Sequence, residues 1–278
     1  MSGKYIEVDP GIELFVEDVG EGEPIVFNPG FTFTTESFEH QVSYFSRTNR
    51  VIVIDPRSHG KSTKTVHGND YVTHGTDLKK VFAKLDLENV ILVGWSFGCL
   101  TAWEYFRQNG TKKLKAMVLI DMPPKSLSVH ANDWVEGELD DIAGIYNTYL
   151  RSPQGQREFI TAYTTNVMIQ RELKSDELTK IVRQSLNTPH YIAGNLFASG
   201  MFSDYREEAR QASEQLPTLT VIAEHWAETA TRFTKELSPK TKVKVLGGHM
   251  MFWEHHEKFN KILEEFIQSL VSKTLDVK

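Results

Sequence analysis

The sequence predicts an α/β protein in which a mostly parallel, doubly wound sheet carries an inserted helical cap. Three observations lead to this fold class. Short apolar runs alternate with helical patterns, one glycine-rich turn joins an apolar run directly to a helix, and one long stretch of chain breaks the alternation. Strands that alternate with helices form parallel sheets, because each crossover helix covers a face of the sheet.

The strand patterns follow one another in a clear order. Two short patterns around the turn sequence DPG predict a hairpin over residues 5–18. Continuous apolar, often β-branched runs, typical of buried parallel strands, predict further strands at 24–27, 50–55, 90–93, 114–121, 218–223 and 242–246. Helical periodicity covers about 72–87, and an amphipathic pattern over 254–271 predicts a closing helix.

The stretch without alternation is helical and rich in aromatic residues. We expect residues 1–122 and 206–278 to form the core domain, and residues 123–205, here named the cap segment, to form a helical lid. Such a lid would lie over the carboxyl ends of the strands, where open α/β sheets bind ligands. We expect Trp134 and Tyr163 to line the substrate pocket there; in the alternative interpretation, these aromatic rings form only the interior of the cap segment.

Composition excludes several classes of partner. The net charge of the 278 residues is −6 and the isoelectric point is near 5.9, which argues against nucleic acid or an anionic membrane. Cys99 is the only cysteine, so no internal disulfide can form. The amino terminus has no apolar signal region, and no run is long enough to cross a membrane. A cytoplasmic enzyme is therefore expected, and its oligomeric state stays open.

The sequence GWSFG at 94–98 is the most informative motif. It lies between a predicted strand and a predicted helix, which is the context of a nucleophile elbow. Such a turn would hold Ser96 at its tip, and the amino terminus of the following helix would favour developing negative charge. We expect Ser96 to be the nucleophile and Trp95 to line the pocket. The alternative is a glycine-rich turn with a solvated serine.

A nucleophilic serine needs a base, and His249 follows the last predicted strand. A neutral imidazole can accept the serine proton and return it to the leaving group. His255 and His256 fall on the closing helix and are expected to be solvated. Adjacent histidines do not share one face of a helix, so we expect neither a metal site nor a cofactor.

Four motifs together resemble the α/β-hydrolase superfamily over nearly the whole chain: NPGF at 28–31, DPRSHGKS at 55–62, the elbow, and GH at 248–249. The chain resembles in particular small bacterial esterases and cofactor-free, haloperoxidase-like members. The elbow places one oxyanion-hole donor at the backbone N–H of Phe97, and the resemblance implies that the other is that of Phe31. Asn28 stands near the usual position of a histidine and would support this loop or touch substrate, unless it only forms an Asn-Pro turn.

The resemblance also implies an aspartate after the strand that follows the cap segment. Trp226 stands at that position. Asp121 ends the strand after the elbow helix, so it would emerge at the same sheet edge as Ser96, in the chain order nucleophile, acid, base. We expect Asp121 to be the acid. Glu224 or Glu228 is the alternative acid. In a purely structural interpretation, Asp121 only caps the first turn of the cap segment.

These residues predict a serine hydrolase that cleaves a carboxylic ester or lactone through an acyl-enzyme on Ser96. The aromatic cap segment favours an apolar or aromatic small-molecule substrate. One alternative is a cofactor-independent oxygenase, in which His249 and Asp121 deprotonate a heteroaromatic ring. A second alternative is a non-catalytic receptor for a small ligand.

Overall fold

The computed structural model describes residues 3–130 and 132–275, with side chains described up to residue 270. Within these residues the chain forms one eight-stranded sheet. The strands are β1 (Gly3–Asp9), β2 (Ile12–Val19), β3 (Pro24–Asn28), β4 (Arg50–Ile54), β5 (Val90–Trp95), β6 (Leu114–Ile120), β7 (Thr218–Ile222) and β8 (Lys242–Val245). Their order in the sheet is β1-β2-β4-β3-β5-β6-β7-β8. The pairings β1–β2 and β2–β4 are antiparallel and the others are parallel, which confirms the predicted fold class.

Helices connect the strands. They are α1 (Glu39–Phe45), α2 (Tyr71–Lys84), α3 (Gly98–Asn109), α4 (Leu139–Tyr149), α5 (Pro153–Tyr163), α6 (Ser175–Leu186), α7 (His190–Met201), α8 (Arg206–Gln215), α9 (Ala227–Leu237), α10 (Met251–Glu254) and α11 (His256–Leu275). The predicted closing helix is thus divided at His255 into α10 and α11. In the described part of the chain, no helix is both long and apolar enough to cross a membrane.

The core lies on both faces of the sheet. Alternate residues of the central strands, such as Val26 and Leu92, pack under α2, α3 and α8. The residues between them, such as Ile25 and Ile91, pack under α1 and α11. Because successive strand residues point to opposite faces and both faces of the central strands are covered, most positions in these strands are apolar, which explains the continuous runs in the sequence.

The carboxyl ends of β5, β6 and β7 lie side by side in parallel register. The hydrogen-bond ladder continues one residue past two of these ends. The N–H of Ser96 donates to the carbonyl of Ile120 (2.8 Å), and the N–H of Asp121 donates to that of Val221 (2.9 Å). Both residues are thereby fixed at the same edge of the sheet.

The cap segment contains α4 to α7. A backbone bridge between Lys125 and Asp204 joins its two ends. Helix α8, which follows this segment, packs against α3 on the sheet. The point where the chain leaves the sheet after β6 therefore lies beside the point where it returns before β7.

Candidate active site

The elbow holds Ser96 in a strained backbone conformation. Its φ of 52° lies in the left-handed region, which residues other than glycine rarely adopt. The turn is also tightly packed, because a Cβ atom at Gly98 would lie 2.3 Å from the backbone oxygen of Asn28. A side chain cannot fit there, so the second glycine of the motif allows α3 to start close to β3. This packing holds Ser96 just before the amino terminus of α3.

Asp121 and His249 form a buried hydrogen-bonded pair. His249 Nδ1 lies 2.7 Å from Asp121 Oδ2, and both side chains are almost fully inaccessible to solvent. The other oxygen, Oδ1, accepts a hydrogen bond from the N–H of Ala223 (2.8 Å). Because a carboxylate oxygen accepts, Nδ1 carries the hydrogen and Nε2 presents its lone pair. The structure thus brings together the two residues that the sequence analysis selected as acid and base.

The backbone around His249 is held by a single π-helical turn, Thr164–Met168, at the end of α5. The N–H of His249 donates to the carbonyl of Val167 (3.1 Å), and that of Met250 donates to the carbonyl of Met168 (2.9 Å). A Cβ atom at Gly248 would lie 2.6 Å from the Met168 oxygen. The glycine therefore allows the two backbones to approach, and the cap segment positions the histidine loop.

The free nitrogen of His249 lies in the same region as the elbow. Nε2 is buried and has no hydrogen-bond partner among the described residues. Trp95, the neighbour of Ser96, donates its indole N–H to the carbonyl of His249 (2.8 Å), and the two rings are 5.6 Å apart. No hydrogen bond joins Ser96 to Nε2 in the described part of the chain. Such bonds are often long or poorly aligned before substrate binds.

The alternative acids lie elsewhere. Glu224 accepts a hydrogen bond from the side chain of Gln170 (3.0 Å), and Glu228 is exposed in the first turn of α9. Within the residues that the structure describes, neither forms a hydrogen bond with His249. Of the carboxylates considered from the sequence, Asp121 alone has the contact that an orienting acid requires.

The loop after β3 packs against the elbow at Gly30. The rings of Phe31 and Phe97 are 5.5 Å apart, and in the described part of the chain no acceptor is bonded to either backbone N–H. The N–H of Thr32 donates to Nε2 of His59 (3.2 Å). The other ring nitrogen of His59, Nδ1, lies 2.9 Å from the carbonyl oxygen of Arg57. Burial lowers the pKa of His59 to about 4. The imidazole is therefore neutral near pH 7 and can accept the bond that holds this loop.

Further polar contacts fix the turn at 55–62 under the same loop. The buried carboxylate of Asp55 accepts hydrogen bonds from the N–H groups of Thr35 (2.7 Å) and Lys61 (2.8 Å). Burial raises the pKa of this carboxyl group. The guanidinium of Arg57 binds both oxygens of Asp77 (2.8 and 2.9 Å). The turn thus supports the loop that carries Phe31.

A cavity of about 720 Å³ opens onto Ser96. Most of its wall is apolar: Phe31, Phe33, Trp95, Phe97, Ile142, Ile145, Phe159, Ile160, Tyr163, Val167, Met168, Ile169, Phe197, Met201 and Trp226. The polar side chains in the wall, besides Ser96, are those of Glu136, Thr165, Asn166, Gln170 and His225. Helices α4, α5 and α7 of the cap segment all contribute, so this segment forms much of the wall of the cavity.

Two of the four residues expected in the pocket, Trp95 and Tyr163, line this cavity, and the other two do not. The expectation for Asn28 is wrong: its side chain is buried on the α2 face of the sheet, in a small cavity beside Arg57 and His74. Strand alternation explains this, since Phe27 occupies the opposite face.

The expectation for Trp134 is also wrong. Its side chain is 2% exposed and packs against Ile222 of β7 and Ala230 of α9. The bridge between Leu127 and Gly137 folds this part of the cap segment back on itself and directs the indole away from the cavity. Trp134 is therefore an internal packing residue.

Sequence reasoning missed many side chains of the cavity wall, among them those of Glu136, His225 and Trp226. Glu136 lies in a polar stretch, WVEGELDD, that matches no motif. Trp226 was considered only as the residue that replaces an acid. Burial lowers the pKa of His225. A half-buried acid in an otherwise apolar wall is recognisable only once the chain is folded.

The remaining histidines do not form a metal centre. Within residues 3–130 and 132–275, no three His, Cys, Asp or Glu side chains are grouped so that they could hold a metal ion. His256 was expected to be solvated, but its ring stacks on that of His40 with centroids 4.0 Å apart. This contact fixes the start of α11 against α1.

A parallel sheet with an elbow serine and a histidine–aspartate pair at its carboxyl edge defines the class of α/β hydrolases. The chain belongs to this family: the model of the α/β hydrolase fold matches residues 23–256. The resemblance seen in the sequence is thereby confirmed.

Individual relatives agree with this assignment. The chain is 25% identical to the AB hydrolase superfamily protein YisY of Bacillus subtilis over 276 residues, which cover 96% of this chain and all of the relative. Its structure is similar to that of a bromoperoxidase from Bacillus anthracis (TM-score 0.86, 23% identity, 96% and 100% of the two chains). It is also similar to an esterase from Exiguobacterium antarcticum (TM-score 0.81, 22% identity, 96% and 100%). At these identities the two structures show the shared fold.

Proposed function

We propose that the protein is a serine hydrolase that cleaves carboxylic esters or lactones through an acyl-enzyme on Ser96. The observation that carries this proposal is the buried pair of His249 Nδ1 and Asp121 Oδ2, 2.7 Å apart, at the sheet edge that also holds the elbow serine. A carboxylate in this contact fixes the imidazole tautomer and stabilises the imidazolium that forms when the serine loses its proton.

The reaction follows from these positions. His249 Nε2 accepts the proton of Ser96 as the serine oxygen attacks the carbonyl carbon. The backbone N–H groups of Phe31 and Phe97 stabilise the negative oxygen of the tetrahedral intermediate. The imidazolium then gives its proton to the leaving alcohol, and water, activated by the same histidine, releases the acyl group.

The cavity wall indicates the chemical class of substrate. Its aromatic and aliphatic side chains favour small molecules with an apolar or aromatic group. A volume of about 720 Å³ has room for such a molecule beside the serine. We therefore propose a small, largely apolar ester or lactone as the substrate.

Labelling with a fluorophosphonate, followed by mass spectrometry of the intact protein and its peptides, tests the mechanism. We expect one adduct, on Ser96, and none in Ser96→Ala, which should also lower kcat for an activated short-chain ester by about 10⁴-fold or more. Ser175→Ala is the matched control, because this serine is exposed at the start of α6. It should label and turn over as the parent protein does.

Other results would support one of the two alternative functions, the oxygenase or the ligand receptor. Full activity in a folded Ser96→Ala variant would contradict the acyl-enzyme mechanism. If that variant also consumed oxygen with a heteroaromatic substrate, the His249–Asp121 pair would serve an oxygenase. A folded protein that neither labels nor turns over any activated ester would be a ligand receptor.

A further inference from the structure

Glu136 brings a carboxyl group into the wall of the cavity that contains Ser96. Its backbone is fixed, because its N–H donates to the carbonyl of Ser126 (2.9 Å) and Leu127 forms a bridge with Gly137. Its side chain is half-buried. Among the described residues, no group forms a hydrogen bond or an ion pair with the carboxylate. The carboxylate is thus held at the cavity without a hydrogen-bond or ion-pair partner among the described residues.

Among the described residues, no lysine or arginine acts on the carboxyl group of Glu136. Burial raises its pKa to about 7; Asp121 also raises it and His249 opposes the rise. The other titratable groups near it in the wall are the hydroxyl of Tyr163 and the imidazole of His225. No lysine or arginine belongs to the described cavity wall. A cationic partner stabilises the charged form of such a carboxyl group, and a ligand that enters the cavity can supply that partner.

Aromatic rings surround the same space. Phe159 and Tyr163 stack with centroids 5.7 Å apart, and the rings of Phe97, Phe197 and Trp226 line the wall as well. The faces of aromatic rings attract cations, and ammonium groups are bound by aromatic side chains in this way. A carboxylate in an aromatic wall whose described residues include no lysine or arginine favours a cationic group and disfavours a carboxylate on the substrate.

We propose that Glu136 determines specificity by binding a cationic nitrogen of the ester substrate, with the aromatic wall completing the ammonium site. This inference rests on the proposed ester hydrolysis for its catalytic test. Its binding test does not depend on turnover. The acyl bond would lie at Ser96 while the ammonium group lies at Glu136, so one molecule would span both groups of the cavity.

The catalytic test compares two isosteric substrates, a choline ester and the 3,3-dimethylbutyl ester of the same acid, which differ by a quaternary nitrogen in place of a carbon. At pH 8 we expect kcat/KM to favour the choline ester by about tenfold. In Glu136→Gln this ratio should fall severalfold, to the smaller preference that the aromatic wall alone supplies. Glu228→Gln, an exposed carboxylate outside the cavity wall, is the matched control and should keep the ratio of the parent protein.

The ratio also has a predicted pH dependence. The carboxyl group is neutral below its pKa and charged above it, so the preference for the cation should increase as pH rises through about 7. Glu136→Gln measures any pH dependence of the ratio that comes from groups other than this carboxyl group. In Glu136→Gln the ratio should be independent of pH. A pH-independent ratio in the parent protein would overturn the proposal.

The binding test uses Ser96→Ala and follows tryptophan fluorescence, since Trp95 and Trp226 line the cavity. We expect the choline ester to bind about tenfold more tightly than its isostere, and Glu136→Gln in this background to reduce the difference severalfold. Equal binding of the two esters would overturn the cation site, whether or not the protein hydrolyses esters. Unequal binding without turnover in the parent protein would support the site and contradict the proposed hydrolysis.

Discussion

The loops that follow β6 and β7 leave the sheet side by side, yet they contribute different things to the site. The loop after β6 begins with Asp121, whose carboxylate is buried against His249. The loop after β7 begins with Ala223, whose N–H supports that carboxylate (2.8 Å). The following 3₁₀ turn, Glu224–Trp226, directs its last two side chains to the cavity wall.

If Asp121 is the orienting acid, as we propose, then the distance to the histidine defines this acid and its position in the chain does not. Two neighbouring parallel strands end at the same sheet edge, so either loop could supply the acid. With the carboxylate on β6, the loop after β7 is free to contribute His225 and Trp226 to the cavity. The comparison between the two loops can be tested by moving or removing the carboxylate.

Asp121→Asn should have the largest effect. The amide keeps the size of the side chain but favours the wrong imidazole tautomer, so kcat for an activated ester should fall by about 10³- to 10⁴-fold. Thermal unfolding should stay cooperative, which separates lost catalysis from lost structure. Glu224→Gln and Glu228→Gln are the controls and should keep kcat within about twofold, because neither contacts His249. A strong loss in either control, with activity kept in Asp121→Asn, would reverse the assignment.

Moving the carboxylate to the loop after β7 should have an intermediate effect on kcat. Trp226 stands where the family resemblance places its aspartate, so Trp226→Asp in the Asp121→Asn background should recover kcat by about tenfold. Trp226→Asp alone is the control for the loss of an apolar side chain from the cavity wall. If the double variant were no more active than Asp121→Asn, only the end of β6 could carry the acid in this protein.

The smallest effect on rate is expected in the cavity wall. Tyr163→Ala should change the preference between short and long acyl esters by a few fold, since its ring lines the cavity. Trp134→Ala should leave this preference unchanged and lower the free energy of unfolding by about 3–5 kcal/mol, because the indole is buried between β7 and α9. Kinetics across a series of acyl lengths and urea unfolding measure the two effects. An altered preference in Trp134→Ala would contradict its assignment to the interior.

The sequence predicts those parts of the molecule that depend on local pattern. Buried parallel strands need continuous apolar runs, so the central strands could be located, and the first two strands could be located from the turn sequence between them. The GWSFG turn could be recognised from its flanking elements. Asp121 could be selected because a strand end fixes where a residue emerges. The side-chain directions of Asn28 and Trp134 could not be predicted, since they depend on register and on the fold of the chain between β6 and α4.

Glu136 shows a second limit of sequence reasoning. Nothing in its neighbours distinguishes it from the exposed acids that follow it at the start of α4. Its chemistry comes from residues far away in the chain, because α5, α7 and the loop after β7 together form the wall around it. Helix α1 was not predicted either, because its seven residues are too few for a clear helical period.

The left-handed backbone at both Ser96 (φ 52°) and Asp121 (φ 49°) has a consequence for how this protein can evolve. Each such conformation costs on the order of 1 kcal/mol for a residue with a side chain, and glycine adopts it without that cost. Ser96→Gly should therefore be at least as stable as the parent protein while lacking the nucleophile. Selection for thermal stability alone would then accumulate inactive variants at this position, and only continued selection for turnover retains the serine.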